Sequence, residues 1–389
     1  MLTLDVAWWI MALYLARKNR WRVLISLFMA LQMAEIINEL IGRLGWGGIN
    51  LSHVPTFFLA AFAIWHNLVL PTFTALGFIC CSLLLIRRWR AKPGLQKLSA
   101  PAPVAADSLT RRQFIGACAA LAPPLVTFSV AGVAMRQLSE FRVRRFTLGI
   151  PSLPKQLDGI TIANVSDIHV GEWTHGRVLR EIVNTTNSLR ADLVVLTGDL
   201  INYELTDLPE GLSMVKAMPG RYGTWMIEGN HDLLQNGLEF EQQVKASGVP
   251  LLLDESVVTD VRGYPVQFFG LRWRDSIGSR LDRITAMQMQ YVMKQRQPDA
   301  FPILLAHHPH AFDAAVAADL PLTLAGHTHG GQIMLDKNVG VGPILFRYWS
   351  GLYQRGNSQM IVSNGTGNTF PLRINAPAEI VHITLRCAA

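Results

Sequence analysis

Residues 160–169, ITIANVSDIH, open on an apolar run and close on Asp167-Ile168-His169. The run reads as a β-strand over Ile160–Val165, with a carboxylate and an imidazole following it two positions apart. Side chains two apart on an extended segment point the same way, so Asp167 and His169 are expected to reach one common point. Four more motifs follow in order, each after its own apolar run. Gly198-Asp199 follows Leu193–Thr197, and Gly229-Asn230-His231-Asp232 follows Gly223–Glu228. His307-His308-Pro309 follows Pro302–Ala306, and Gly326-His327-Thr328-His329 follows Leu322–Ala325. Further strands are expected over Val266–Leu271, Met360–Ser363 and Ile380–Leu385, with helices over Arg177–Leu189 and Leu281–Lys294. Strands and helices mixed at this spacing predict an α/β sandwich. Loops beyond the carboxyl ends of such strands can gather side chains that are far apart in sequence.

Each motif alone has a bland reading. Asp-x-His is commonly a surface pair, Gly-Asp marks turns, Asn-His-Asp can cap a helix, and His307 with His308 could be a core histidine beside an exposed one. The ordered set is far stronger than its members. Carboxylates, imidazoles and an amide carbonyl, with no thiolate among them, suit a divalent manganese, iron or zinc ion.

In its five elements the set resembles the calcineurin-like metallophosphoesterase superfamily, whose pattern is DxH, GD, GNH(D/E), H and GHxH. The resemblance runs from about Gly159 to Leu385. Gly330-Gly331-Gln332 and Asn364-Gly365-Thr366-Gly367 are similar to its membrane-associated bacterial branch. The resemblance implies a two-sheet αββα sandwich and two divalent metal ions. Asp167, His169, Asp199 and His329 would hold one ion. Asp199, Asn230, His307 and His327 would hold the other, with Asp199 bridging. His231 would face the phosphate as the catalytic acid or charge stabiliser, and Asp232 would orient it. His308 and His310 are expected to be structural or rim residues. Two cations about 3.5–4 Å apart clamp a phosphoester and lower the pKa of a shared water, so the expected reaction is attack by the resulting hydroxide in line with the leaving oxygen.

Charge and hydropathy divide the chain of 389 residues. Residues 1–140 hold 13 lysines and arginines against 5 aspartates and glutamates; residues 141–389 hold 22 against 23. The net charge of +7 is thus +8 before residue 141 and −1 after it, and the basic excess lies among long apolar runs over about Leu2–Ala16, Val23–Ile41, Val54–Ile86 and Phe114–Met135. A span needs about 20 apolar residues; the first run is marginal, and the third is expected as one long tilted helix or a kinked one. Basic clusters at Arg17–Arg22, Arg87–Lys92 and Arg111-Arg112 are expected in the cytoplasm. Four crossings would place both the N-terminus and the motif-bearing region outside, in a multi-pass protein of the bacterial inner membrane. The expected boundaries are a transmembrane helical region over 1–92, a cytoplasmic linker over 93–112, a transmembrane helix or twin-arginine-like signal anchor over 113–136, and the metallophosphoesterase domain over 137–389. The four cysteines form no paired spacing, so neither a disulfide framework nor a zinc ribbon is expected.

A site tethered to a bilayer points to a phosphoester that is lipid-linked or part of the envelope. Trp173, Trp225, Trp273 and Phe346-Arg347-Tyr348-Trp349 are candidates for an apolar rim, against the commoner reading that most of them are core. Arg272, Arg274 and Arg347 could meet a second anionic group. The near-neutral charge after residue 140 counts against a nucleic-acid groove, which disfavours the alternative of a metal-dependent nuclease. A non-catalytic membrane sensor is the other alternative, motivated by Glu35 and Glu39 on one helix face within a span. Oligomeric state and metal identity are not legible.

Overall fold

The computed structural model describes residues 2–16, 18–43, 54–90, 110–138, 140–274 and 278–388. Two compact units divide between Met135 and Arg136.

The first unit is helical: α1 (Leu2–Leu15), α2 (Asn19–Arg43), α3 (Thr56–Ile64), α4 (Leu70–Arg90) and α5 (Arg111–Leu138). Three stretches are long and apolar enough to cross a membrane: Asn19–Asn38 with 20 residues, Thr56–Arg87 with 32 and Phe114–Leu138 with 25. Helix α1 has 14 residues, or about 21 Å at 1.5 Å per residue, short of a hydrocarbon core of about 30 Å. The third apolar run is one continuous helix, with a π-helical turn at Trp65–Val69 joining α3 to α4. Pro71 follows that turn and has no N–H to donate to the helical ladder. There Asn67 Nδ2 donates to the Ala63 carbonyl at 2.9 Å.

This unit also buries an ionisable pair that the sequence reading passed over in favour of Glu35 and Glu39. The Asp5 carboxylate accepts the Trp65 indole N–H at 2.8 Å and lies 3.3 Å from His66 Nε2, both side chains being fully buried. The Glu39 side chain and the linker over residues 93–109 lie outside the described residues.

The second unit holds the motifs. Its first sheet has the order β1-β13-β2-β3-β4: β1 (Phe141–Ile150), β2 (Thr161–Asn164), β3 (Leu193–Thr197), β4 (Thr224–Ile227) and β13 (Ala378–Cys387). The second has the order β11-β12-β8-β7-β6-β5: β5 (Glu255–Val261), β6 (Tyr264–Gly270), β7 (Phe301–Leu305), β8 (Leu322–Ala325), β11 (Gly351–Arg355) and β12 (Ser358–Val362). Both sheets are mixed: β2, β3 and β4 run parallel, as do β6, β7, β8 and β12, whereas β13 lies antiparallel to β2.

Strand alternation builds the layers. Ile162, Leu193, Val195 and Ile227 face Phe268, Ile303, Leu305 and Leu324 across the inter-sheet core. On the outer face of the first sheet, Ala163, Val194 and Met226 meet Ile182 of α6 (Arg177–Ser188), Val215 of α7 (Leu208–Lys216) and Phe240 of α8 (Gly237–Ser247). On the outer face of the second, Phe269, Leu304 and Met360 meet Val292 of α9 (Gly278–Met293) and Phe312 of α10 (Ala311–Ala317). The result is the expected four-layer αββα sandwich. Between β8 and β11 the chain adds a small hairpin, β9 (Met334–Asp336) and β10 (Val339–Gly340), and the short helix α11 (Val341–Leu345).

Five strands escaped the sequence reading: the short hairpin β9 and β10, and three edges of the large sheets, β1, β5 and β11. Edge strands bury less and carry charge that guards their open side. In β1 the run Arg142-Val143-Arg144-Arg145 breaks any apolar signal.

Candidate metal centre

The motifs sit where parallel strands end. Asp167 and His169 follow β2, Asp199 follows β3, Asn230 and His231 follow β4, His307 follows β7, and His327 and His329 follow β8. The two sheets thus deliver their carboxyl-end loops to one place. Close approach of backbone explains the glycines: a β-carbon on Gly229 would strike the Asp199 carboxylate, and one on Gly326 would strike Ser166 and Asp167.

The reason given for Asp167 and His169 acting together needs correction. Strand β2 stops at Asn164, and neither residue is extended; both have φ of 50°. Asp199 (φ 55°), His327 (φ 74°) and His329 (φ 49°) share that left-handed conformation. Such conformations are uncommon outside glycine and concentrate at functional sites. Alternation along a strand does not aim these side chains; tight turns just past the strand ends do.

Two groups of donors meet at Asp199. In the first, His169 Nε2 lies 3.0 Å from His329 Nε2, and His329 Nε2 lies 3.6 Å from Asp167 Oδ1. In the second, Asn230 Oδ1 lies 2.9 Å from His327 Nδ1 and 3.2 Å from His307 Nε2. Asp199 Oδ2 reaches both, at 3.5 Å from His169 Nε2 and 3.1 Å from His307 Nε2. The structure therefore brings together all seven residues expected to be ligands.

Electrostatics follow from burial. Burial pushes His169 and His327 down to about 3, and holds His329 well below the ordinary histidine range. Their neutral rings keep a lone pair available, as metal ligation requires. Burial alone would raise Asp199, but the rings of His307, His169 and His231 together outweigh that and draw its carboxyl far below the usual range. His307 rises to about 9, because Asp199 more than offsets the desolvation of its ring. Asp167 rises to about 6 through burial, with Asp199 adding to the effect. His169 Nδ1 is buried without a partner. The facing nitrogens of His169 and His329, both on neutral rings, can share at most one proton between them. The same donors suit divalent cations.

His231 adjoins the first group, its ring centroid 4.6 Å from that of His169. Its backbone N–H donates to Asp199 Oδ1 at 2.8 Å, and its Nδ1 meets the Asn202 carbonyl at 2.7 Å. That contact places the proton on Nδ1 and leaves Nε2 for a substrate. The Asp232 carboxylate is spent on backbone and not on the His231 ring it was expected to orient. It accepts the N–H groups of Ile201 at 3.0 Å and Gly229 at 2.8 Å, tying the loop after β3 to the loop after β4. The orienting group is the Asn202 carbonyl, which carries no side-chain signature in sequence.

Arg373 is the second residue the sequence reading missed. It is 1% exposed, donates to the carbonyls of Asn364, Gly367 and Ala376 and to Asn368 Oδ1, and sits 3.2 Å from His329 Nδ1. It fastens the Asn364–Gly367 loop, which backs Asp167 through the Gly367 N–H at 2.9 Å from the Asp167 carbonyl.

The rim candidates divide. Trp225 is 6% exposed and stacks on Phe268 in the inter-sheet core, and Tyr348 is buried against Phe312. Trp273 touches the rings of His307, His308 and His327, and Phe346 lies 6.0 Å from His327. A cavity of about 220 Å³ opens on Asp199, Asn230, His231 and His327, with Leu345 and Phe346 on its apolar side. Arg272 and Arg274 are engaged by Glu241 and Asp254, and Arg347 by Asp313.

A family model described as calcineurin-like phosphoesterase matches residues 160–331. These residues form a calcineurin-like phosphoesterase domain. A transmembrane protein with metallophosphoesterase domain from Danio rerio is 26% identical over 376 residues, covering 95% of this chain and 81% of its own. An uncharacterized metallophosphoesterase from Bacillus subtilis is 29% identical over 293 residues, covering 72% of this chain and 98% of its own. Among solved structures, TT1561 of Thermus thermophilus aligns with a TM-score of 0.37 at 13% identity, covering 53% of this chain and 90% of that one. The phosphoesterase domain implies a phosphoester substrate, and its clustered histidines and aspartates suit divalent metals.

Proposed function

We propose that this chain is a membrane-anchored, binuclear metal-dependent phosphoesterase. The observation that carries the reading is the position of Asp199 Oδ2 between the His169 and His307 groups, which suits a carboxylate shared by two ions. Asp167, His169, Asp199 and His329 would hold one ion, and Asp199, Asn230, His307 and His327 the other. When bound, such a pair supplies positive charge to the phosphoryl oxygens and acidifies water. In its doubly protonated form His231, with Nδ1–H held by the Asn202 carbonyl, would present Nε2–H to the leaving oxygen and give up that proton there, returning to the neutral ring. The backbone ties made by Asp232 and Arg373 fix the loops that aim these groups.

The anchor is read from the three long apolar stretches and from the transmembrane relative. The basic clusters put the start of α2, the end of α4 and the start of α5 in the cytoplasm. With those stretches crossing, the phosphoesterase domain emerges on the outer face of a bacterial inner membrane, independently of what the short α1 does. Thr110-Arg111-Arg112-Gln113-Phe114 reads as a twin-arginine-like export segment. Leu345 and Phe346 beside the cavity favour an ester carrying an apolar group, and so a lipid-linked substrate over a nucleic acid.

The test is hydrolysis by the full-length protein in detergent, reconstituted with manganese, iron or zinc. Bis(p-nitrophenyl) phosphate, a phospholipid and single-stranded DNA would be compared. Turnover of the first two with little on DNA is expected; preference for DNA would replace the reading with a nuclease, and no turnover with any metal would end it.

A further inference from the structure

A second cavity, of about 430 Å³, lies behind the metal centre, reaching Gly330 on the far side of the His329 turn. Its wall carries Arg142, Arg144 and Lys337 and no carboxylate. The fully buried side chain of Glu379 takes Arg142 at 2.7 Å and Arg144 at 3.4 Å. One carboxylate thus serves two guanidiniums, and Lys337 adds a third cation; even with Asp336 at the end of β9 beside Lys337, positive charge is in excess around the hollow. Both arginines are preset: Glu379 holds them from below, and Ser350 Oγ accepts from Arg144 at 3.0 Å. Gly351 lacks the β-carbon that would strike the Arg144 guanidinium. A rigid fork of N–H donors with unspent charge matches phosphate oxygens.

Position and surroundings say where the phosphate comes from. Arg142 is four residues beyond Leu138, the end of α5, so at most about 14 Å of extended chain separates it from the last apolar stretch. Gln137, in the final turn of that helix, bonds Asn375 on the cavity wall, donating to its Oδ1 at 3.3 Å and accepting its N–H. The hairpin that supplies Lys337 carries Leu335 at 77% and Val339 at 53% exposure. Exposed aliphatic groups beside a cationic hollow fit acyl chains beside a headgroup.

We propose that this cavity binds the phosphate headgroup of an anionic membrane lipid, with the lipid chains lying on Leu335 and Val339. It would seat the domain on the bilayer next to its own tether. The inference rests on the membrane reading and not on the chemistry at the metal centre.

The experiment is calorimetric titration of the full-length protein in dodecyl maltoside, with EDTA present so that the metal centre adds no phosphate affinity. Dioctanoyl phosphatidylglycerol, dioctanoylglycerol and glycerol phosphate are the three probes. Saturable binding of phosphatidylglycerol is expected, with weak binding of the other two. Lys337→Glu, on the exposed turn between β9 and β10, should weaken binding about tenfold. Wild-type affinity in that variant would overturn the proposal. Glycerol phosphate binding as tightly as the lipid would overturn the lipid assignment. Separate assays with metal should show Lys337→Glu hydrolysing bis(p-nitrophenyl) phosphate like the parent protein, which certifies its fold. Absence of hydrolysis in both proteins would defeat the catalytic reading while leaving the titration interpretable, with circular dichroism then certifying the fold.

Discussion

The Nε2 atoms of His169 and His329 stand 3.0 Å apart, although the residues are 160 positions apart in the chain. Two neutral rings at that distance either share one N–H or turn both lone pairs on a cation. The second arrangement predicts strong coupling between metal and stability. At a free ion concentration of 100 times Kd, one site adds about 2.7 kcal/mol. Thermal unfolding of the full chain should therefore move up with manganese or zinc and back with EDTA. A melting temperature indifferent to every divalent ion would remove the metal from the account.

Asp199 and His231 should separate metal binding from proton delivery. Asp199→Ala removes the oxygen shared by both donor groups, so bound metal and turnover should vanish together. His231→Ala should lower turnover about 10²–10⁴-fold, the range for an acid or base, while metal content stays near normal by elemental analysis. Metal loss in the His231 variant would place it among the ligands.

Arg373→Met should act through the fold. The change strands the carbonyls of Asn364, Gly367 and Ala376 in the interior, where each unpaired acceptor costs about 1–3 kcal/mol. Unfolding should be easier by on the order of 3 kcal/mol, with weaker metal binding because the His329 loop loses its fastening. Arg373→Lys should rescue little, since a point charge cannot reproduce a planar set of donors. Full stability in either variant would show that the loop needs no such clamp.

His382, on β13, gives a pH dependence away from the metal centre. Burial, helped by Arg145 next to it, holds its pKa below the ordinary histidine value. The unfolded chain therefore binds this proton more readily than the folded one. The contribution to stability is present above about pH 6.5 and is lost as pH falls through the folded pKa. His382→Gln should flatten the acid side of the melting-temperature profile; an unchanged slope would assign it to other groups.

Much of the domain was legible because its central strands are apolar on both faces. Leu193–Thr197 and Leu322–Ala325 were found at their observed limits, and each motif lies just past such a strand. The edge strand β1 was hidden because Arg142, Arg144 and Arg145 occupy it in place of an apolar signal. At the centre, residue types announced the seven donors, but the physical reason assigned to Asp167 and His169 was wrong: a left-handed turn, not strand alternation, aims them. Asn202 acts through its backbone carbonyl and Arg373 through contacts made only after folding, so neither has a local pattern to read.

Strand β1, which leads in from α5, lies parallel to β13 over ten paired positions, Phe141 with Ala378 through Ile150 with Cys387. A pull along the tether would therefore load that ladder in shear. Its hydrogen bonds would share the force together instead of failing one by one, as they do when a strand is peeled from its end. On the proposed anchoring, the domain would hang from a ladder loaded in shear, and strand β13 supplies half of it.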